Sequence, residues 1–346
     1  MSDLKGLRLV VAGAGAIGSV LALQLARGGA QVVLADPAAA GDNASGVAAG
    51  MLAPLFEALL DPLATPLYPL LLHARDGWSD VLPVGLIDRS GALFGAQSAD
   101  AARRFAERAA SLGGQAEPID DARATIMVPG LQPHGGWVFT TEDWRLDPRA
   151  ALTALHAAFA DHGGRRLAVA ALTFKDGFVG LGDGSSLPAD GLILATGLGT
   201  DSRLSPIKGQ ILRFPGLGPV TGPVVRAPGV YVVPSQGGLI VGATMEEGVG
   251  DRSIDPAAVA ALRAAAATLF PHLAEARAVA YAGVRAATVD GAPLVGAGEQ
   301  PGVWLAQGAR RNGWLLAPLI AEVLIDRLLG SPPSSAASAF DPARFG

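Results

Sequence analysis

Leu9-Val10-Val11-Ala12-Gly13-Ala14-Gly15-Ala16-Ile17-Gly18-Ser19-Val20-Leu21-Ala22-Leu23-Gln24-Leu25-Ala26 contains no charged residue and is about as long as a membrane-spanning helix. Its glycines argue against a span. Gly13, Gly15 and Gly18 follow the β-branched run Leu9-Val10-Val11 and precede a stretch of helical periodicity that ends near Arg27-Gly28-Gly29. The segment therefore reads as strand, tight turn and helix. Gln31-Val32-Val33-Leu34-Ala35 is a second short apolar strand ending in Asp36, which completes a βαβ unit. The distance from Gly18 to Asp36 suits an adenine-dinucleotide site, where an acid at the end of the second strand accepts from ribose hydroxyls. Gly13 makes the turn, Gly15 lets a pyrophosphate approach the backbone, and Gly18 lets helix and strand pack closely, with the helix N-terminus facing the phosphates. Lys5 and Arg8 precede the apolar run as they would in a secretory signal, but cleavage there would remove the motif. A cytoplasmic protein with no membrane association is expected.

The chain has 346 residues, of which 50% are hydrophobic and 16% charged, with 46 glycines, 25 prolines and no cysteine. That length suggests two domains or one large one. A formal charge of −5 gives no electrostatic reason to expect nucleic acid. The absence of cysteine excludes disulfides, thiol catalysis, cysteine-ligated metal and a flavin tethered through cysteine. The mean hydropathy of +0.37 is spread along the chain, largely as alanine.

Asp147-Pro148 opens a helix running to about Ala160, with Asp147 as N-cap. Strand-like runs follow at Leu167-Ala168-Val169, Leu172 to Leu181, and Ala189 to Ala195 before Thr196-Gly197. Val220 to Thr244 is β-rich, with Val230 to Pro234 and Leu239 to Gly242 flanking Ser235-Gln236-Gly237-Gly238 as a hairpin. Asp255-Pro256 opens a helix to about Leu269, residues 100–110 form an amphipathic helix, and Leu315 to Leu329 form a terminal helix. Ser331 to Gly346 is Pro/Ser/Ala-rich and reads as loose. Dinucleotide-type strands at both ends with β-rich sequence between them imply a mixed α/β fold. A Rossmann-like domain assembled from discontinuous segments (1–82, 140–205 and 286–330) carries an inserted antiparallel-sheet domain (83–139 and 206–285), followed by a flexible tail (331–346).

Ala44-Ser45-Gly46-Val47-Ala48-Ala49-Gly50-Met51-Leu52-Ala53-Pro54 resembles the flavin-contacting segment of the D-amino-acid oxidase superfamily, in particular its glycine oxidase branch. Lys208-Gly209-Gln210, Tyr231 to Pro234, Val241 to Met245, Ala282 to Arg285, Asp290-Gly291 and Arg311-Asn312-Gly313-Trp314-Leu315-Leu316-Ala317-Pro318 resemble further blocks of that branch in the same order. The resemblance covers nearly the whole chain apart from the tail.

It implies non-covalent FAD held by Gly13, Gly15, Ile17, Gly18, Asp36, Ser45, Gly46, Ala49, Gly50, Met51, Val169, Ala195, Thr196, Gly197, Gly308, Arg311, Asn312, Gly313, Trp314 and Leu315. It also implies oxidative deamination of glycine or a related small amino acid or amine by hydride transfer to flavin N5. The products would be an imine, then oxoacid and ammonia, and peroxide from dioxygen, in a pathway toward thiamin thiazole. The small residues from Ser45 to Leu52 would let a flat ring approach the backbone. Arg311-Asn312-Gly313 stands just ahead of a helix, where N–H groups and the positive helix end would stabilise charge on reduced flavin. Arg285 falls on the carboxylate-binding arginine of the family, and a guanidinium fork suits that task. Tyr231 matches the tyrosine that helps to hold substrate, and Met51 and Met245 fall at the pocket. Core filling is the bland reading of both methionines.

The chain departs from the branch at the pocket edge. Ala309 and Arg310 stand where a histidine and an aromatic are usual, Tyr281 where a tryptophan is usual, Ser235 in place of an arginine, and Ala286 in place of a proline. Ala309 would admit a larger amine, and Arg310 would either add charge or point into solvent. His73, His134, His156, His162 and His272 show no metal-ligand spacing, so no metal is expected. Three alternatives remain open from sequence: an FAD-dependent D-amino-acid or secondary-amine dehydrogenase using another acceptor, a nicotinamide dehydrogenase built on the same glycines, and a non-catalytic flavin protein. Either a monomer or a homo-oligomer is compatible with the alanine-rich helices.

Overall fold

The computed structural model describes residues 4–217 and 222–346; Val220 and Thr221, where the expected β-rich region begins, lie outside the described residues. Strand Arg8–Ala12, helix Ala16–Arg27 and strand Gln31–Ala35 form the expected βαβ unit. The two strands run parallel with Val11 opposite Leu34. They lie within a six-stranded sheet of order Leu294–Ala297, Val303–Gln307, Gly191–Leu194, Arg8–Ala12, Gln31–Ala35 and Arg165–Leu167. The pair formed by the first two is antiparallel and the other neighbours are parallel. A parallel sheet covered on both faces demands nearly continuous apolar strands, which explains why Leu9 to Ala12 does not alternate with polar residues. Leu9 and Val11 meet a helical layer formed by Ala16–Arg27, Tyr68–Val81, Pro148–Asp161 and Gly313–Leu328. Val10 and Ala12 instead pack on a three-stranded meander that includes Val179 and Leu181.

That meander corrects one expectation. The run from Leu172 to Leu181 is two strands, Ala171–Lys175 and Phe178–Leu181, joined at Asp176-Gly177 with φ of +50° and +78°. Two consecutive left-handed residues are the signature of a two-residue hairpin, and Asp-Gly is a favoured pair for it.

The second large sheet has nine strands and is mainly antiparallel. Its spine is Ser205–Pro215, paired with Val279–Ala287 from Ser205 opposite Ala287 to Arg213 opposite Val279, and on its other side with Gly238–Gly242. Strands Val230–Ser235 and Gly238–Gly242 form the expected hairpin. Ala92–Gly95 and Trp137–Thr140 come from much earlier in the chain; Ala92–Gly95 enters parallel to Val224–Ala227. Helix Ala99–Ser111, capped by Ser98, packs with Ile211, Val233 and Ile240 on one face, and helix Pro256–Leu269, capped by Asp255, packs with Leu212 and Phe214 on the other.

The tail is also corrected. Residues Ser335–Ala339 form a helix, Phe340 is fully buried, and Val295 donates its N–H to the Phe340 carbonyl. Arg327 pairs with Asp341 and Arg344 with Asp290, which pin the segment to the terminal helix and to the loop before Leu294–Ala297. A composition rich in Ser, Pro and Ala concealed two anchors: one aromatic side chain and one arginine.

Candidate functional site

A cleft of about 1120 Å³ runs across the C-terminal ends of the parallel strands toward the second sheet. Its walls carry Gly13, Gly15, Ile17, Asp36, Ser45, Ala195, Thr196, Gly197, Arg285, Gly308, Ala309, Arg311, Gly313 and Trp314 from among the residues expected to form the site. Segments far apart in sequence meet here because ligands of such sheets sit beyond the carboxyl ends of the strands.

The glycine loop is shaped by close contacts. Gly13 has φ +102°, and a Cβ there would come within 2.4 Å of the Ala195 carbonyl oxygen. A Cβ on Gly18 would come within 1.9 Å of the Gly13 carbonyl oxygen, so Gly18 serves packing behind the cleft wall. Gly15 is the N-cap of Ala16–Arg27 and offers no side chain of its own. Ser45 supplies the missing cap: its Oγ accepts from the Ala16 N–H at 2.9 Å, while its carbonyl accepts from Trp314 Nε1 at 3.0 Å. One serine thus ties the phosphate-type turn to the terminal helix. Asp36 accepts from the Ala14 and Ala38 N–H groups at 2.7 and 2.8 Å, which orients its carboxylate at the strand end. Ser19 donates to the Ala14 carbonyl, so His156 Nε2 at 3.0 Å donates to the Ser19 oxygen. Burial, aided by Arg166 and opposed by Asp36, lowers the His156 pKa to about 4, so the ring is neutral. His156 acts here as a buttress rather than a ligand.

Several expected residues stand behind or beside the wall. Gly46 is packed against Gly41, Gly50 against the Leu146 carbonyl, and Leu315 is buried in the core. Ala49, Met51 and Tyr231 belong to an apolar cluster of the second sheet, and Val169, Asn312 and Met245 lie off the cleft lining.

At the end of the cleft toward the second sheet, Arg285 projects from the strand Val279–Ala287 over Gly209, two residues along from its paired neighbour Ile207. Its Nη1 lies 3.4 Å from both the Thr244 carbonyl and Met245 Sδ. No carboxylate ion pair to Arg285 is formed among the described residues. Burial lowers its pKa, an effect that nearby Tyr231 opposes. The Tyr231 hydroxyl reaches the bare Cα of Gly242, where a Cβ would come within 2.2 Å, and burial raises its pKa against the pull of Arg285 and Arg226.

The sequence reading missed the helix Pro54–Leu60. The Asp143 carboxylate caps it, accepting from the N–H groups of Leu55 and Phe56 at 2.9 and 3.2 Å. This helix places Glu57 between two arginines, 3.0 Å from Arg226 and 2.5 Å from Arg311. Asp61, at the end of the same helix, pairs with Arg310 and lies 3.6 Å from Arg311 Nε. Burial works to raise the Glu57 pKa, but Arg311 and Arg226 outweigh it and hold the group below its ordinary value. Burial drives the Asp143 pKa up to about 7 despite Arg226 and the two N–H groups. Four-residue spacing from Glu57 to Asp61 was the available signal, since it puts both acids on one helix face.

The fit to a flavin dinucleotide is steric and electrostatic. The Gly13-to-Gly15 turn, the small residues Ala44, Ser45 and Ala48, and the helix start at Gly313 border one continuous cleft. Among the described residues no cluster of metal-ligating side chains is found, and no helix is long and apolar enough to cross a membrane.

Residues 8–327 match the DAO family model, FAD dependent oxidoreductase. A protein of Rhizobium etli named as the thiamine biosynthesis oxidoreductase ThiO is 33% identical over 93% of this chain and 97% of its own length. A glycine oxidase of Pseudomonas aeruginosa is 29% identical over 97% of this chain and 98% of its own. The crystal structure of glycine oxidase from Geobacillus kaustophilus superposes with a TM-score of 0.80 at 26% identity, covering 97% of this chain and 98% of that one. These matches set aside the nicotinamide and non-catalytic readings: the chain belongs to the DAO family of FAD-dependent oxidoreductases.

Proposed function

We propose that this enzyme oxidises glycine or a related small amino acid or amine to the imine, which hydrolyses to oxoacid and ammonia, with dioxygen becoming hydrogen peroxide. The observation that carries the reading is Arg285, a half-buried guanidinium at the end of the cleft that pairs with no carboxylate among the described residues. Partial desolvation of a charge that has no counter-ion is costly, so a substrate carboxylate is the natural partner. FAD, when bound, supplies N5 as the hydride acceptor. The chain's own part is positioning. Arg285 would hold the carboxylate by two parallel N–H contacts, and Tyr231, electrostatically coupled to it, would add a hydroxyl donor from Val230–Ser235, three strands away in the same sheet. With the carboxylate held, the amine and α-hydrogen form the reacting end, and orientation rather than a strong general base is what the protein must provide. The N-terminus of Gly313–Leu328 would supply positive potential at the cleft end, and Arg311, its charge paired with Glu57, would offer N–H donors there. The names of the relatives extend the proposal to thiamine biosynthesis.

The test is the visible spectrum of the purified, FAD-loaded enzyme, with glycine, sarcosine and a panel of D-amino acids added without air and air admitted afterwards. Bleaching by a small amino acid, followed by recovery with stoichiometric peroxide, is expected. Flavin bands that none of these amines bleaches would overturn the proposal.

A further inference from the structure

Three guanidiniums, those of Arg285, Arg310 and Arg311, border one end of the cleft. Two carboxylates answer them from one short helix and its C-cap, Glu57 at Arg311 and Asp61 at Arg310, leaving Arg285 as the one of the three without an ion pair among the described residues, though it feels the more distant charge of Glu246. Arg226 binds the other oxygen of Glu57 and lies close enough to Asp143 to influence it; when Asp143 is ionised this deeper pair cancels. Arg310 is held in an unusual way. It adopts φ +51°, a left-handed conformation costly for a non-glycine residue, while its N–H donates to the Ala286 carbonyl at 2.8 Å. Only 14% of its side chain is exposed and only 7% of that of Asp61, so the pair is shielded from the solvent that would weaken it. Arg310 therefore does not point into solvent, and its charge is spent on Asp61.

We propose that Asp61 is a specificity-determining residue: by neutralising Arg310 it limits this end of the cleft to one excess positive charge, and so to amines with a single carboxylate. The proposal rests on the reading of Arg285 as the carboxylate site. Without Asp61, Arg310 would face the cleft as a second uncompensated cation beside the space that Ala309 leaves, and an amine carrying two carboxylates would gain a partner for each. Specificity of this kind comes from removing an attraction that the wrong substrate would use.

The experiment uses FAD-loaded enzyme near pH 8.5, where Asp143 is ionised, and reads the perturbation of the flavin spectrum by acetate and by malonate. KM for glycine and for iminodiacetate is measured alongside. The wild-type enzyme is expected to bind acetate at least as tightly as malonate. Asp61→Asn keeps the side-chain size and the acceptor for the Leu63 N–H, and is expected to shift the malonate-to-acetate affinity ratio at least tenfold toward malonate, with the KM ratio following. Adding Arg310→Gln to it should restore the wild-type ratio. An unchanged ratio in Asp61→Asn, or a double variant that keeps the shifted ratio, would overturn the proposal. If Asp61→Asn does not fold, Arg310→Gln alone must weaken malonate at least tenfold more than acetate, and equal effects on both would overturn it too. Lack of perturbation by either acid in every protein would also sink it. Failure of the proposed amine oxidation shows separately, as flavin that binds these acids yet is bleached by no amine.

Discussion

The guanidinium of Arg285 lies directly over the Cα of Gly209 on the neighbouring strand, so close that a Cβ there would come within 2.2 Å of Nη2 and 2.5 Å of Cζ and Nη1. The pairing of Ser205–Pro215 with Val279–Ala287 sets this proximity, because Gly209 faces Gly283 and leaves a gap that the arginine fills. Gly209→Ala should therefore displace Arg285 without removing it. The expected outcome is KM for the amino acid raised tenfold or more, with FAD retention and thermal stability nearly unchanged. Steady-state kinetics with flavin content measured in parallel check this.

Removing the charge itself should cost more. Arg285→Ala is expected to raise KM at least 100-fold, about 3 kcal/mol of lost binding, while the flavin spectrum stays intact. Unchanged kinetics would take Arg285 out of the carboxylate role.

The glycine loop predicts a different failure. Gly13→Ala adds a Cβ 2.4 Å from the Ala195 carbonyl at a φ of +102°, so both backbone and contact resist it. The variant should purify without yellow colour and fail to take up FAD on dialysis. Gly15→Val should likewise lose flavin retention, through crowding at Ser45 Oγ and at the open N-cap. Retained flavin in either variant would contradict the phosphate-turn reading.

Two buried groups give opposite pH dependences. Asp143, with its folded pKa raised to about 7, contributes stability that is complete below its unfolded pKa and is lost as pH rises toward 7. His156, with its folded pKa lowered to about 4, contributes stability that is present above its unfolded pKa and is lost as pH falls toward 4. Asp143→Asn should therefore gain on the wild type between pH 5 and 8, by on the order of 3 kcal/mol if the whole shift is expressed. His156→Gln should flatten the acid side of the stability curve. Denaturant midpoints across pH for each variant check both signs.

The folded tail makes a last prediction. Phe340 is fully buried against the first sheet and the terminal helix, so Phe340→Ala should cost about 3–5 kcal/mol of stability. Urea unfolding is the measurement, and a loss below 1 kcal/mol would mean that the tail is not part of the cooperative core.

The βαβ unit, the helices opening at Asp147 and Asp255, the Val230–Gly242 hairpin and the glycine turn at Gly13 were legible in the sequence because local chemistry determines each of them. A cap needs its own carboxylate or hydroxyl, a strand its alternation or apolar run, and a left-handed turn its glycine. Arg285 and Arg311 were legible through motif resemblance, which supplied their proposed roles but not their surroundings. Tertiary structure alone decided those surroundings. Helix Pro54–Leu60 is capped by Asp143, far along the chain, so no local signal marked its start. That helix then brings Glu57 and Asp61 to arginines about 250 positions away, a separation across which the sequence pattern carries no pairing information. The tail was decided in the same way, since Phe340 and Arg344 order it only because the first sheet provides a surface for them. Short-range propensity is written in neighbouring residues, whereas the partner of a buried charge is chosen by the packing that removes both from water.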